Sequence, residues 1–158
     1  MFRPIRRTKR EISIEDAKKV LTEARIGVFS VNGDDGYPFA IPVNYFFDEE
    51  NQKIYFHGAR AGHKVDSLQK SDKVCFTVYG PEVVKKEEWA PFVKSAVVFG
   101  RCHIMQDHSD ALVQLRKLAK KYYPTEDLIT EEIEKDGHAV NMFEIDIEHL
   151  TGKEIQEK

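Results

Sequence analysis

The sequence of 158 residues has no apolar run near the ~20 residues that a membrane-spanning helix needs. Its first ten residues include five basic side chains and lack the apolar centre of a secretory signal. Only two cysteines are present, Cys75 and Cys102, and neither has a cysteine neighbour at metal-ligand spacing. We therefore expect a single cytoplasmic domain over residues 1–158, with reduced, buried thiols and no membrane partner.

The sequence also lacks the common motifs of a self-contained active site. Its six histidines form no H-x-H, H-E-x-x-H or Cys/His cluster, so we expect no metal site. There is no P-loop and no G-x-S-x-G elbow, and Gly58 and Gly62 are not part of a G-x-G-x-x-G turn. The formal net charge of -3 gives no overall attraction to nucleic acid. If the protein is an enzyme, a bound cofactor is expected to carry the chemistry.

What the sequence does contain is a series of strand-like segments rich in β-branched and aromatic residues. They cover residues 25–31, 38–47, 53–59, 73–79, 92–105 and 138–150. Helical patterns cover residues 14–24, 62–70, 112–122 and 125–136, and a polar tail follows residue 150. About six strands with short turns predict a mainly β fold, a small antiparallel barrel with flanking helices, because closure removes exposed edges.

Single residues mark where these elements begin or bend. Ser13, with Asp16 three residues later, is typical of a helix N-terminus. Pro42 cannot donate to a strand ladder, which predicts an edge strand, a bulge or a bend of the strand around a barrel. Gly100 predicts a bend in the long fifth strand.

The first ten residues form a basic arm that has two interpretations. Its five basic residues are Arg3, Arg6, Arg7, Lys9 and Arg10. Short charged termini are usually solvated, which is the simpler interpretation. The alternative is an arm that reaches a phosphate, on this or a neighbouring subunit.

A glycine-spaced loop after the third predicted strand delivers Arg60, His63 and Lys64 to the start of a helix. Helix starts present free backbone N–H groups and a partial positive charge, so this loop predicts a seat for an anion such as a phosphate. A helix start contributes at most ~2 kcal/mol to an anion, whereas micromolar binding needs roughly 8 kcal/mol. The remainder of the ligand must therefore be buried against apolar groups.

The order of three segments resembles a known family. The segments are G-Y-P-F-A-I-P-V-N-Y at residues 36–45, I-Y-F-H-G-A-R-A-G-H-K at 54–64 and K-S-A-V-V-F-G-R at 94–101. Together they resemble the pyridoxamine 5'-phosphate oxidase-like, FMN-binding split-barrel proteins, and within them the nitroimidazole-resistance reductase branch. The R-x-V-L-L-K segment and the arginine-rich C-terminal signature of true pyridoxamine phosphate oxidases are missing, so vitamin B6 oxidation is not expected.

The resemblance implies a homodimer of six-stranded, Greek-key split barrels with an FMN in each of two clefts at the subunit interface. It implies a set of residues along the flavin ring that act largely through backbone groups: Pro42, Val43, Asn44 and Tyr45. It places a second set under the ring or the ribityl chain: His57, Gly58 and Ala59. It gives the phosphate to a third set: Gly62, His63 and Lys64.

The resemblance also implies a substrate-side, catalytic role for His57. The ring needs aromatic or apolar covers, and the candidates are Tyr45, Phe46 and Tyr55 of the same chain, with Trp89 or Phe92 of the partner subunit. Because adjacent strand residues point to opposite faces, Tyr45 and Phe46 cannot both contact the ring, and one of them is expected in the core.

Three functions are compatible with these residues. The first is an FMN-dependent oxidoreductase that passes electrons from a reduced nicotinamide or another donor to a small electron-poor acceptor, such as a 5-nitroimidazole. The second is a flavin-binding protein that stores or senses FMN without turnover. The third is a barrel that binds another phosphorylated or aromatic ligand.

Overall fold

The computed structural model describes residues 1–87 and 90–156. In these ranges the helices are α1 (Ile14–Glu23), α2 (His63–Lys70), α3 (His108–Tyr122) and α4 (Glu126–Asp136). The strands are β1 (Gly27–Asn32), β2 (Pro38–Val43), β3 (Phe46–Asp48), β4 (Lys53–Ala59), β5 (Lys73–Tyr79), β6 (Val83–Lys85), β7 (Ala90–Ile104) and β8 (Val140–Gln156). None of the helices described there is long and apolar enough to cross a membrane.

The strands form one antiparallel sheet that is curled into a split barrel. Their order is β2-β1-β5-β7-β8-β4-β3, with β6 added to the side of β7. The strands β2 and β3 follow each other in the chain but lie at opposite ends of this order. The barrel is therefore split between β2 and β3. The predicted mainly β split-barrel fold with flanking helices is confirmed.

The strand count differs from the sequence prediction, with eight strands in place of six. The predicted strand over residues 38–47 is broken at Asn44 and Tyr45 into β2 and β3, because the chain crosses there from one end of the sheet to the other. A second addition is β6, which lies between the predicted strands 73–79 and 92–105 and pairs with β7 from Val83 to Lys85.

The predicted end of the last strand was wrong. The residues after 150 were expected to form a polar tail, but β8 continues to Gln156 and pairs with β7 along this whole stretch. Gly152 lies against the chain that leads into α1, where the Ile12 N–H donates to its carbonyl at 3.1 Å. The tail is a strand because a neighbouring strand pairs with it, although its polar side chains give no apolar alternation.

Aromatic side chains fill the interior of the barrel. Phe29, Phe56, Phe76 and Phe143 are all completely buried, and each contributes roughly 1.5–3 kcal/mol by its burial. One end of the barrel is closed by α1, whose buried face consists of Ala17, Val20 and Leu21.

The predicted helix start, strand edge and bend are confirmed. The Ser13 Oγ accepts the Asp16 N–H at 3.0 Å and begins α1. Pro42 lies in β2, the strand at one end of the sheet order. The register of β7 against β8 shifts between Phe99 and Gly100, and a Cβ at Gly100 would lie 2.2 Å from the Asp146 carbonyl oxygen.

A second apolar cluster lies outside the barrel, between its wall and the helices α3 and α4. Its buried members are Tyr55, Leu115, Leu118 and Met142. The wall is therefore covered on the β3-β4-β8 side, and α3 reaches the break between β2 and β3 with its C-terminal end.

Candidate functional site

The start of α2 has the features of an anion seat. Gly62 precedes the helix with φ +135°, a conformation that side-chain-bearing residues rarely adopt, and it has no side chain to cap the helix. The first intrahelical bond runs from the Asp66 N–H to the Gly62 carbonyl. In the described ranges, the N–H groups of His63, Lys64 and Val65 have no acceptor, so all three can bind an anion.

The Lys64 side chain lies across Gly58 of β4. A Cβ at Gly58 would lie 2.7 Å from the Lys64 Cε and 2.9 Å from its Nζ, so only glycine leaves room for the lysine in this position. The ammonium is half-buried, 5.5 Å from the centre of the Phe143 ring. No carboxylate of the described residues lies within 4.0 Å of it. A partly buried cation of this kind favours an anionic ligand.

The His63 side chain turns away from the seat toward the β1–β2 turn. Its ring stacks on Phe39 with the centroids 4.0 Å apart, and its Nε2 lies 3.7 Å from an Asp34 carboxylate oxygen. The predicted role of His63 at the phosphate therefore depends on its backbone N–H. Arg60 also lies outside the seat, since its guanidinium donates to the His138 carbonyl.

His57 points outward from β4 into a cleft that also contains Asn44. The cleft has a volume of about 320 Å³ and lies between the barrel wall, α3 and α4. Burial lowers the pKa of His57, and the nearby Lys64 ammonium lowers it further. The imidazole is therefore neutral at pH 7, able to donate from one nitrogen and accept at the other.

The break between β2 and β3 places Pro42 and Val43 on an edge strand and Asn44 and Tyr45 beyond its end. Among the described strands β2 pairs only with β1, so its other edge presents unpaired backbone groups. The Tyr45 side chain is completely buried and donates from its hydroxyl to the Leu21 carbonyl at 2.5 Å. Of the pair Tyr45 and Phe46, Tyr45 is thus the core residue, and only its backbone can face a ligand.

The C-terminal end of α3 holds this break in place, a role that the sequence did not indicate. The Tyr122 hydroxyl accepts the Tyr45 N–H at 3.0 Å and lies 2.7 Å from the Arg25 carbonyl. The Lys121 ammonium donates to the Ala24 carbonyl at 2.6 Å and to the Tyr45 carbonyl at 3.2 Å. Tyr122 ends the predicted helical segment 112–122, and a helical pattern gives no sign of where its hydroxyl binds.

Most of the aromatic side chains predicted to cover the ligand are packed against other residues of this chain. Tyr55 is only 3% exposed and packs beneath α3, and Phe46 lies against it with the ring centroids 6.5 Å apart. Phe92 is also buried, with the Lys85 ammonium 3.9 Å from its ring centre. Trp89 lies outside the described residues. Tyr55 and Phe92 are therefore core residues of this chain, and a cover from a second subunit stays a prediction.

One group of possible metal ligands was not foreseen from the sequence. His103, Glu144 and Asp146 bring their ligand atoms within 4.8 Å of one another on the outer face of β7 and β8. The Lys53 ammonium lies 2.9 Å from a carboxylate oxygen of Glu144 and 2.9 Å from one of Asp146. Because one ammonium already pairs with both carboxylates, we interpret the group as an ion-pair network.

Comparison of the sequence with known protein families identifies the family of this chain. The family described as pyridoxamine 5'-phosphate oxidase matches residues 13–154, most of the chain. The chain belongs to this family. The family predicted from the three sequence segments is therefore confirmed. Among curated proteins, none has a sequence that matches this chain significantly.

Solved structures of the same fold share little sequence with this member of the family. A candidate 5-nitroimidazole antibiotic resistance protein from Bacteroides thetaiotaomicron is 18% identical, with a TM-score of 0.76 over 92% of this chain and 87% of that chain. An FAD-binding protein from Mycobacterium smegmatis is 15% identical, with a TM-score of 0.64 over 94% and 99%. A candidate pyridoxamine 5'-phosphate oxidase from Corynebacterium glutamicum is 17% identical, with a TM-score of 0.58 over 92% and 91%. At these identities the likeness establishes the fold.

The Lys121 ammonium predicts a specific pH dependence of stability. Burial, with the Arg25 guanidinium nearby, lowers the pKa of Lys121 from 10.5 to about 8. Because the unfolded chain then binds this proton more tightly, the free energy of unfolding should rise between pH 8 and 10.5, by about 1–2 kcal/mol for a partly exposed group. Denaturant unfolding of the wild type and of Lys121→Met across this range isolates the contribution, since the variant cannot show it.

The control is Lys120→Met, which removes an exposed neighbour on the same helix. This variant should keep the rise in stability seen in the wild type. An equal rise in Lys121→Met and in the wild type would contradict the assignment.

Proposed function

We propose that this chain is an FMN-dependent oxidoreductase that reduces a small electron-poor acceptor, with nitro compounds such as 5-nitroimidazoles as the first class to test. The observation that carries the proposal is the anion seat, in which the Lys64 ammonium lies against Gly58 and three N–H groups at the start of α2 have no acceptor among the described residues. A flavin mononucleotide carries its phosphate at the end of a flexible chain, and this seat has the charge and the donors to hold it.

The rest of the predicted flavin site fits the described residues in part. The unpaired edge of β2 offers backbone donors and acceptors near Pro42 and Val43, and the pyrimidine edge of a flavin requires both. His57 and Asn44 share one cleft beside this edge. When bound, the flavin would supply the electron transfer. The chain's own residues would fix its position and stabilise negative charge through N–H groups near Val43 and Asn44.

The choice of FMN follows from the form of the seat, a single phosphate site at one helix start. FAD is the alternative, and it is supported by the relative from Mycobacterium smegmatis, which is described as FAD-binding. The resistance protein from Bacteroides thetaiotaomicron supports a nitro compound as the acceptor. The two cofactors can be compared directly by titration of the flavin-free protein.

We also propose that two copies of the chain pair through the outer face of the barrel. Outward-facing residues of five neighbouring strands form two cross-strand rows in which every side chain is uncharged. The first row is Pro42, Val28, Thr77, Val97 and Thr151, and the second is Ala40, Ser30, Cys75, Phe99 and His149. A sheet face that meets water normally alternates with polar and charged residues, so this face is suited to a partner.

The N-terminal arm lies on the same face. The Phe2 ring stacks on His149 with the centroids 4.8 Å apart and on Phe99 at 5.6 Å. The arm is therefore held at the surface proposed for pairing, over β7 and β8. A partner at this face would add apolar surface around the flavin ring.

Reduction and reoxidation of the bound flavin test the proposed function. With the FMN-loaded protein under anaerobic conditions, a reduced nicotinamide or another donor should bleach the flavin absorption, and a nitroaromatic compound should restore it. A bound flavin that no donor reduces would contradict the enzyme and favour flavin storage or sensing. A reduced flavin that the nitro compound leaves unchanged would contradict the proposed acceptor class.

Replacement of Lys64 tests the anion seat. Lys64→Ala should weaken FMN binding by ~1.5–3 kcal/mol, roughly 10- to 150-fold, because a charge-assisted bond to the phosphate is lost. Quenching of flavin fluorescence during titration measures the affinity. Lys70→Ala is the matched control at the other end of α2, where the lysine lies 3.4 Å from Asp34, and it should bind FMN as the wild type does. An unchanged affinity in Lys64→Ala would rule out the assignment.

A charge in the middle of the uncharged face tests the pairing. Thr77→Glu should shift the protein from dimer to monomer in sedimentation velocity, because a partner cannot bury an unpaired carboxylate without a large desolvation penalty. Flavin affinity should fall with it. Thr22→Glu, the same change on the exposed side of α1, should leave the dimer intact. A wild-type protein that sediments as a monomer would contradict the proposed interface.

A further inference from the structure

The helix α4 carries a strong excess of negative charge. Six of its eleven residues are acidic and one is basic, Lys135. In the described part of the chain only Glu126 among the six forms ion pairs, with Arg116 at 3.2 Å and Lys120 at 3.4 Å. A charged helix face is usually no more than a solvated surface, so its position relative to a cavity decides whether it acts on a ligand.

Two of these carboxylates, Glu132 and Asp136, line the cleft that contains His57 and Asn44. The other walls are mostly apolar, and they consist of Leu115, Leu118, Ala119, Tyr122, Tyr123, Ile133, Gly137 and Val140. None of the residues that line the cleft is a lysine or an arginine. The lining is therefore mostly apolar, and its two charged residues are both negative. Arg25 and Lys121 lie 4.7 and 5.6 Å from the centre of the Tyr122 ring without lining the cleft.

This combination selects a ligand by shape and by charge. A volume of about 320 Å³ accommodates one aromatic ring system with small substituents, and the apolar walls of the cleft favour such a ring. The carboxylates disfavour an anion and attract a cation, because clefts with low-dielectric walls concentrate the field of their charges. Anionic compounds are disfavoured in this cleft on the same ground.

We propose that this cleft is a binding site for small aromatic cations, with Glu132 and Asp136 as the residues that determine charge selectivity. As the acceptor subsite of the enzyme, the cleft rests on the proposed function, because it shares His57 and Asn44 with the proposed flavin site. Binding of the cation itself requires only the side chains of this chain.

Three probes that differ only in the charged group test the site: 4-nitrobenzylamine, which is a cation at pH 7, 4-nitrobenzyl alcohol and 4-nitrobenzoate. Isothermal titration at low salt should give the cation an affinity about tenfold higher than that of the anion, and added salt should reduce the difference. The neutral alcohol should bind with intermediate affinity. Equal affinities of cation and anion, or no binding of any probe, would overturn the proposal.

Matched pairs of variants on α4 locate the selectivity. The double variant Glu132→Gln with Asp136→Asn should reduce the preference for the cation to less than about threefold. The control is Glu131→Gln with Glu134→Gln, which removes the same charge from exposed positions of the helix outside the cleft. A control that loses the preference as completely as the cleft variant would show a general field of α4 and would overturn the assignment to these two residues.

Titrations of flavin-free and FMN-loaded protein separate this proposal from the proposed function. Cation binding by a protein that does not retain FMN would refute the flavin enzyme and leave the cleft site intact. FMN binding without any preference for the cation would refute the cleft site and leave the flavin enzyme intact. Chemical shifts of Tyr122, Ile133 and Val140 should move on addition of the cation in both forms, and unchanged shifts at these residues would contradict binding in the cleft.

Discussion

The break between β2 and β3 is the constraint on which the rest of this structure depends. To close the barrel, the chain leaves one end of the sheet at Val43 and rejoins the other end at Phe46, so the backbone between them has no strand partner. A buried polar group left unpaired costs about 1–3 kcal/mol. Tyr122 and Lys121 of α3 form hydrogen bonds with the backbone of Tyr45. The same two side chains also donate to the Arg25 and Ala24 carbonyls. The same break leaves the far edge of β2 open to a ligand.

Positive and negative side chains lie on different sides of this break, which suits a ligand with one anionic and one cationic end. Positive charge gathers at the start of α2, where Lys64 lies over Gly58 and lowers the pKa of His57. Negative charge lines the cleft beneath α4. The proposed seat favours a phosphate and the proposed cleft favours a cation. The neutral His57 lines the cleft and lies near Lys64. Electrostatics of this kind determine what binds and in which orientation, more than how tightly it binds.

The sequence predicted the strands that polar residues delimit and missed those that form only because a neighbouring strand pairs with them. The bounds of β4 and β5 agree with the prediction because polar residues precede both segments and β-branched and aromatic residues fill them. The strand after residue 150 was missed, since only its pairing with β7 makes a polar segment extended. At the candidate site, spacing and resemblance pointed to Gly58, Gly62 and Lys64, whose contact with a flavin stays a prediction. The orientation of the His63 ring and the contacts of the Tyr122 hydroxyl depend on tertiary packing, which no local pattern encodes.

The central claim is that the uncapped start of α2 and the Lys64 ammonium hold a flavin phosphate beside the split barrel. Its most direct test is the visible absorption spectrum of the wild-type protein after it has been mixed with FMN and freed of excess. Two flavin bands that remain with the protein, in a ratio near one flavin per chain, are the predicted result. A colourless protein that retains neither FMN nor FAD would contradict the claim and would leave the fold with a different ligand.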